Sequence, residues 1–251
     1  MLPEERRNAI ASYIDKHNTA TVQELVDAIN ASAATIRRDL LVLHDENRIV
    51  KVFGGATSLA YREISSAEPS VTEKLTLNTQ AKELIAEYAA SLIHDDDFVY
   101  IDSGTTTLCM IDHIANPKAV YVTNGIVHAK RLIEQGFSTM ILGGRVKQST
   151  EAVIGAGSVE ELSRLNFTKA FMGTNGISDI SGFSTPDVDE AMVKTAAVSH
   201  SAQSYVLADH TKFGVVTPIT FANLWDCCII TDTIPDNKYS DLTMIKSVSQ
   251  Q

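Results

Sequence analysis

One stretch of this chain concentrates the residue types that do chemistry. Asp102-Ser103-Gly104-Thr105-Thr106-Thr107 sets an acid, a glycine and four hydroxyls directly after the apolar run Phe98-Val99-Tyr100-Ile101. Apolar residues at helical spacing follow. Short hydroxyl donors and a glycine where a strand gives way to a helix suit an anion, because the first helical turn has free N–H groups and a favourable dipole. A serine nucleophile on a sharp elbow needs Gly-x-Ser-x-Gly, and residues 101–105 read Ile-Asp-Ser-Gly-Thr, so acyl transfer is the weaker reading. A threonine-rich helix cap with no ligand is the remaining alternative.

Other apolar runs end in the same way. "VTNG" (122–125), "LGGR" (142–145), "GTNG" (173–176) and "LADHTKFG" (207–214) all place small, polar or glycine residues after strand-like segments. In open α/β sheets the ligand crevice lies at such strand ends. Lys212 offers a point charge for a phosphate, and Asp102 or Asp209 can accept from sugar hydroxyls. Asp187, Asp189 and Glu190 in "GFSTPDVDEA" could be acid/base groups or a metal corner, or could simply complement a helix dipole. Lys194 is four residues after Glu190, either its helical partner or a cation reaching into a site. "GAGSVE" (155–160) begins like a dinucleotide fingerprint but lacks the third glycine, and reads as a loop-helix cap.

A second chemistry sits near the N-terminus. Arg37 and Arg38 lie in "SAATIRRDLLVL", where Ile36, Leu40 and Leu43 form the apolar stripe of a helix that Ser32 would cap. The stripe directs the arginines elsewhere. Ser32, Ala33 and Thr35 occupy the first turns, the part of a recognition helix that meets phosphates and base edges. An arginine can take a guanine edge bidentately. Asp39 would orient a neighbouring arginine or cap locally, and Lys51 could reach the DNA backbone. A solvated helix face is the bland alternative for an isolated Arg-Arg pair.

The elements that must position these residues follow from periodicity. A helix runs from Pro3 to His17. A second starts at Thr21, with Glu24 completing a capping box, and presents Val22, Leu25, Val26 and Ile29. Only two residues separate it from the Ser32 cap, the brevity of a helix-turn-helix. "RIVKVFGGATSLA" then reads as a hairpin wing. Residues 58–75 are polar and mixed and predict a linker that becomes helical near Leu77. From there strand-like runs ("DFVYID", "AVYVTN", "FSTMILGG", "KAFMGTN", "SYVLAD", "CCIITD") alternate with helical patterns. Near-continuous apolar strands alternating with helices predict an α/β domain with a mainly parallel sheet.

Composition narrows the partners. Of the formal charge of −10, residues 1–57 carry a balance of −1 and the remainder −9, so a local basic face near the N-terminus is compatible with an acidic chain. Hydrophobic residues make up 44%, enough for a packed core, and no apolar run is long enough to span a membrane. "MLPEERRNAI" has charges where a secretory leader needs its apolar centre, so a cytoplasmic location is expected. Cys109, Cys227 and Cys228 are an odd number without metal spacing and read as small hydrophobes. Neither a metal nor a cofactor is expected.

"TIRRDL" followed by "GGA" closely resembles the DNA-binding domain of DeoR-family bacterial repressors. The resemblance continues through "DSGTTT", "VTNG", "LGG", "GTNG" and "ADHTKFG", so it spans nearly the whole chain. It implies a winged helix-turn-helix at 1–57, with Ser32, Ala33, Thr35, Arg37, Arg38 and Lys51 facing operator DNA. It also implies an effector domain at 76–251, similar to the sugar-phosphate isomerase and CoA-transferase superfamily. Carried onto this sequence, the phosphate-loop role falls on Ser103, Gly104, Thr105, Thr106 and Thr107. Asp102, Asn124, Gly143, Gly144, Asn175, Glu190, Lys194 and Lys212 become the other pocket positions. "MLPEER", "DSGTTTLCMID" and "GFSTPDVDEA" look most like the fructose-operon repressors, which implies fructose 1-phosphate as effector and a homo-oligomer, dimer or tetramer. One departure from the family pattern is that the N-terminal segment is not net basic. The competing reading is an active sugar-phosphate isomerase or deaminase with Asp187 or Glu190 as base and Lys212 as phosphate anchor.

Overall fold

The apolar stripes of the N-terminal segment become α1 (Pro3–His17), β1 (Thr19–Thr21), α2 (Val22–Ile29), α3 (Ala33–Asp45), β2 (Ile49–Val52) and β3 (Gly55–Ser58). The structure is a computed structural model that describes residues 1–17, 19–52, 54–58, 70–235 and 237–248. It forms two compact units, Met1–Glu63 and Ile64–Gln251.

In the first unit Thr21 and Glu24 complete a capping box for α2, and Asn30 ends that helix in the left-handed conformation. Ser32 caps α3 by accepting from the Thr35 N–H at 3.2 Å. Ile10, Ile14, Leu25, Ile36, Leu40, Leu43 and Ile49 meet in one buried core. β2 and β3 make the expected hairpin, and β1, which has no sequence period of its own, joins as a third strand in the order β1-β3-β2. Gly55 lies so close to β1 that a Cβ there would sit 2.2 Å from the Ala20 carbonyl oxygen.

The second unit opens earlier than its periodicity predicts. Residues 59–69 of the expected linker lie outside the described residues. At its end Ser70 and Glu73 form a capping box for α4 (Val71–Thr76), a helix with no buried residue. α5 (Thr79–Ser91), β4 (Phe98–Ile101), α6 (Thr105–Ile111), β5 (Val120–Thr123), α7 (Ile126–Glu134) and β6 (Ser138–Ile141) follow. Then come β7 (Arg145–Lys147), β8 (Ala152–Ile154), α8 (Ala156–Leu162), β9 (Phe167–Gly173), β10 (Gly176–Ser178), β11 (Gly182–Thr185) and α9 (Val188–Ser199). β12 (Ser201–Leu207), β13 (Ile219–Ala222), β14 (Cys228–Thr231) and β15 (Ile245–Ser247) complete the unit.

Seven strands form a wholly parallel sheet in the order β15-β14-β12-β9-β4-β5-β6. Side chains alternate between two cores. Val99, Ile101, Phe171, Leu207 and Ile230 enter the one shared with α5 and α6. Tyr100, Ala170, Met172, Val206 and Ile229 enter the one shared with α8 and α9. Burial on both faces is why these strands read as unbroken apolar runs. The β7-β8 hairpin and the antiparallel β10-β11-β13 sheet are additions the periodicity does not reveal. Their strands run only three or four residues.

Candidate functional site

On α3, Arg37 and Arg38 are exposed, Ser32 is exposed at the cap, and Ala33 and Thr35 are half-buried; Lys51 is exposed on β2. Asp39 settles the choice the sequence left open. It is buried and accepts from Arg6 of α1, at 2.6 Å from Nε and 3.3 Å from Nη2. Its charge is therefore spent inside the unit, and neither Arg37 nor Arg38 has a hydrogen-bond or ion-pair partner among the described residues. The Ser32 hydroxyl, besides capping, lies 2.9 Å from Thr35 Oγ1, which fixes the first turn. The outcome is a stiff helix start beside two uncommitted cations.

In the second unit the chain runs outward from β4 through β5 to β6, then returns to place β9 on the other side of β4. This reversal is the topological switch point, where the loops after adjacent strands diverge and leave a crevice. A cavity of about 890 Å³, its open mouth included, lies there. One wall is Asp102, Ser103, Gly104, Thr105 and Thr106 after β4; a second is Gly173, Thr174 and Asn175 after β9. Glu190 and Lys194 of α9 and Thr150 close one side. Asp209, Thr211 and Lys212 after β12 line another, with Val71, Lys74, Leu77, Asn78 and Lys82 from α4 and α5.

The buried charges here are bonded within the fold. Asp102 accepts from Lys194 Nζ and, at 2.9 Å, from the Gly173 N–H. Lys194 also donates to the Gly173 carbonyl at 3.1 Å, so one ion pair ties β4, β9 and α9 together at the switch point. Lys194 is thus not the helical partner of Glu190. Glu190 accepts instead from Lys147 at 3.1 Å and Thr150 at 2.9 Å. Burial pushes the Asp187 carboxyl up, but the Glu190 N–H and Lys147 outweigh it and hold it below the ordinary carboxylate range. Asp209 accepts from Asn78 at 3.1 Å and from the Thr211 N–H at 3.0 Å. Lys82 is buried and donates to the Lys74 carbonyl; burial pushes its pKa down, with Asp209 pulling it back up. Lys212 is half-exposed, and its side chain has no hydrogen-bond or ion-pair partner among the described residues.

Four expected pocket positions lie behind the wall. Thr107 is fully buried; its hydroxyl donates to the Asp102 carbonyl at 2.5 Å and lies 2.8 Å from that of Gly104. Asn124 accepts from the Ser103 N–H at 3.1 Å. Both shape the loop instead of lining the cavity. Gly143 and Gly144 pack against α8, where Ser158 Oγ donates to the Gly143 carbonyl at 2.9 Å. A Cβ on Gly144 would sit 2.5 Å from that hydroxyl, so its glycine is a packing requirement.

Sequence reasoning missed Lys82, Asn78 and Thr150, which sit in segments without motif character, and Lys147, which serves through Glu190. It also missed His128. This buried ring donates from Nε2 to the Gly104 carbonyl at 2.9 Å, and burial pushes its pKa down to about 4, so the neutral ring holds the loop. Gly125 makes room for it, since a Cβ there would lie 2.4 Å from Nδ1. Among the described residues no three His, Cys, Asp or Glu side chains are placed to hold a metal ion, and no helix is long and apolar enough to cross a membrane.

Comparison with known proteins gives the same division of the chain. The DeoR-like helix-turn-helix domain profile matches residues 6–61 and the DeoR C terminal sensor domain profile residues 77–233. The uncharacterized HTH-type transcriptional regulator FruR of Bacillus subtilis (strain 168) is 42% identical over 252 residues, 99% of each chain. The HTH-type transcriptional repressor GlcR of the same organism is 31% identical, over 96% of this chain and 93% of its own. The lactose phosphotransferase system repressor of Staphylococcus aureus (strain NCTC 8325 / PS 47) is 33% identical, over 88% of each.

Proposed function

The chain belongs to the DeoR family of helix-turn-helix transcriptional regulators, and on that premise we propose that it represses a fructose uptake or catabolism operon and leaves its operator when fructose 1-phosphate fills the cavity. Its whole-chain relatives are regulators and repressors, and it is a sugar-responsive regulator, not an enzyme. The likeness to FruR supports the choice of fructose.

The observation that carries the ligand class is the combination of donors around one opening. Loop 103–106 offers hydroxyls and backbone N–H groups, and Lys82 and Lys212 bring positive charge to the opposite side. The sequence alone placed the phosphate on the loop; we assign it to the space between loop and lysines, where both reach it. Asp102, Asn175 and Glu190 then remain for sugar hydroxyls. A site that hydrogen-bonds specific hydroxyls rejects the wrong isomer because buried polar groups lose their partners.

A ligand shifts a switch only through an interaction that differs between two states. The Lys82 ammonium supplies one. It donates to the carbonyl of Lys74 in α4, the exposed helix that follows directly on the residues joining the two units. A phosphate drawing on Lys82 competes with that carbonyl, so α4 is held in one way without ligand and in another with it.

The test is a melting panel of fructose 1-phosphate, fructose 6-phosphate, glucose 6-phosphate and fructose, paired with release of labelled operator. At about 100 times its dissociation constant the true effector stabilises the protein by about 2.7 kcal/mol. Fructose 1-phosphate is expected to do this and to release the operator, and Thr105→Asp, which sets a carboxylate against the phosphate, is expected to bind operator without responding. If another sugar phosphate acts and fructose 1-phosphate does not, the fructose assignment fails and the repressor reading stands. Full response of Thr105→Asp moves the phosphate elsewhere.

A further inference from the structure

The two edges of the seven-stranded sheet are finished differently. β15 is three residues long and places Lys246 in the strand. β6, Ser138-Thr139-Met140-Ile141, pairs in parallel with β5 on one side. Among the described residues no strand pairs with its other side, and none of its four residues is buried. A free edge is a row of unpaired N–H and C=O groups, ready to template another strand. Proteins that stay monomeric blunt such edges with lysine, proline, a bulge or a covering element. Among the described residues no strand covers β6, no charged residue and no proline occurs from Gln135 to Gly144, and its register with β5 runs without a shift.

The side chains at this edge are apolar on both faces. Met140 stands beside Val122 and Ile141 beside Thr123. Val122 faces the core shared with α8 and α9, while Tyr121 and the α7 residue Leu132 face the other. By the two-residue alternation Met140 and Ile141 therefore project from opposite faces. They are 41% and 46% exposed, and Ile133 of α7, which packs on β6, is 63% exposed.

We infer that a second copy of this chain docks edge to edge on β6, the two β6 strands running antiparallel about a two-fold axis. A two-fold rotation sets a strand antiparallel to its own copy, so one edge supplies both halves of the ladder and needs no other complementary surface. Charge favours this place. Residues 58–251 carry a balance of −9, so two copies repel over much of their surface. Residues 135–144 carry no charge to the seam, the Glu161 carboxylate reaching only Gly143 beyond the strand's end, at 2.8 Å from its N–H. The joined sheets cover Met140, Ile141 and Ile133 of each copy, an apolar margin on both faces of the new ladder. Nothing in this inference depends on what fills the cavity.

Sedimentation velocity of the full chain at micromolar concentration tests it. The wild-type chain is expected to be a dimer or a multiple of one, and Met140→Lys and Ile141→Lys are each expected to sediment at half the wild-type mass with an unchanged far-ultraviolet circular dichroism spectrum. Single cysteines at Ser138, Thr139, Met140 and Ile141, in a Cys109→Ser, Cys228→Ser background, provide a second readout that needs no disrupted variant. On mild oxidation at least one should form a covalent dimer in high yield, while Ile180→Cys, in the exposed turn between β10 and β11, should not. A monomeric wild-type chain, wild-type mass in both lysine variants, or β6 cross-links no stronger than that of Ile180→Cys would each overturn the proposal.

Discussion

The two candidate faces hold their charges in opposite ways. Arg37, Arg38 and Lys51 of the first unit are exposed and, among the described residues, their side chains are uncommitted, whereas Asp102, Lys194 and Glu190 of the second are buried and already bonded within the fold. Water solvates an exposed cation at little cost, so a surface that meets DNA can keep its charges free. A cavity between strand ends cannot, because an unpaired buried charge is expensive. A ligand must therefore enter an existing network and draw on its members. The comparison predicts that substitutions in the cavity act first on stability and that substitutions on the DNA face act first on binding.

Asp102→Ala is the severest test. It removes the partner of the buried Lys194 ammonium and the acceptor of the Gly173 N–H together. Breaking a buried pair from one side costs about 3–5 kcal/mol, to be read from denaturant unfolding of the full chain. Adding Lys194→Met should recover part of the loss by removing the stranded charge. A loss below about 1 kcal/mol for the single variant would mean the pair is solvated, and the contrast between the two faces would collapse.

The same contrast explains what could be read in advance. The helix-turn-helix was legible because its partners are close in sequence and announced by period: Ser32 with Thr35, Thr21 with Glu24, and the stripe Ile36, Leu40, Leu43. Six of the seven strands of the parallel sheet were legible as apolar runs, the central ones because burial on both faces leaves such runs unbroken, whereas β15, only three residues long, was not. The pairing inside the cavity was not. Asp102 and Lys194 lie 92 residues apart, and the local rule that a lysine four residues after a glutamate serves that glutamate misdirected Lys194. Glu190 found Lys147, 43 residues away. Gly143 and Gly144 carried a strand-end motif, yet sit at β6, three strands from β9, where Ser158 needs the space. Motif position specified which strand end a residue belongs to; strand order, which no local pattern encodes, decided whether that end reaches the crevice.

His128 gives an intermediate effect, visible in pH. Burial pushes its folded pKa from the ordinary 6.5 down to about 4. Between those values the unfolded chain takes up a proton that the folded chain refuses, so acid favours unfolding. The stability associated with the neutral ring is complete above about pH 6.5 and is lost as pH falls through about 4. Across that window the slope reaches at most about 1.4 kcal/mol per pH unit. His128→Gln keeps an amide donor for the Gly104 carbonyl but cannot titrate, and its stability should fall less steeply over the same range. Equal slopes for the two proteins would place His128 in contact with solvent and remove it from the paired network.

The smallest change in stability belongs to Arg37→Ala and Arg38→Ala. Both side chains are exposed and, among the described residues, hold no hydrogen bond or ion pair whose loss would be felt in the fold. Surface substitutions of this kind stay within about 0.5 kcal/mol. Binding should respond in the opposite sense. An arginine that meets a guanine edge contributes about 1–3 kcal/mol of discrimination, and one that meets phosphate weakens binding uniformly and lowers the salt slope by about one. Titrating each variant against operator and against unrelated duplex at several salt concentrations separates the two roles. Loss on operator alone assigns the residue to base reading, and parallel loss on both duplexes assigns it to the backbone. Unchanged affinity for both, in a double variant that melts like the wild type, would show that the leading edge of α3 does not face DNA. The free cations of the first unit would then be a solvated surface.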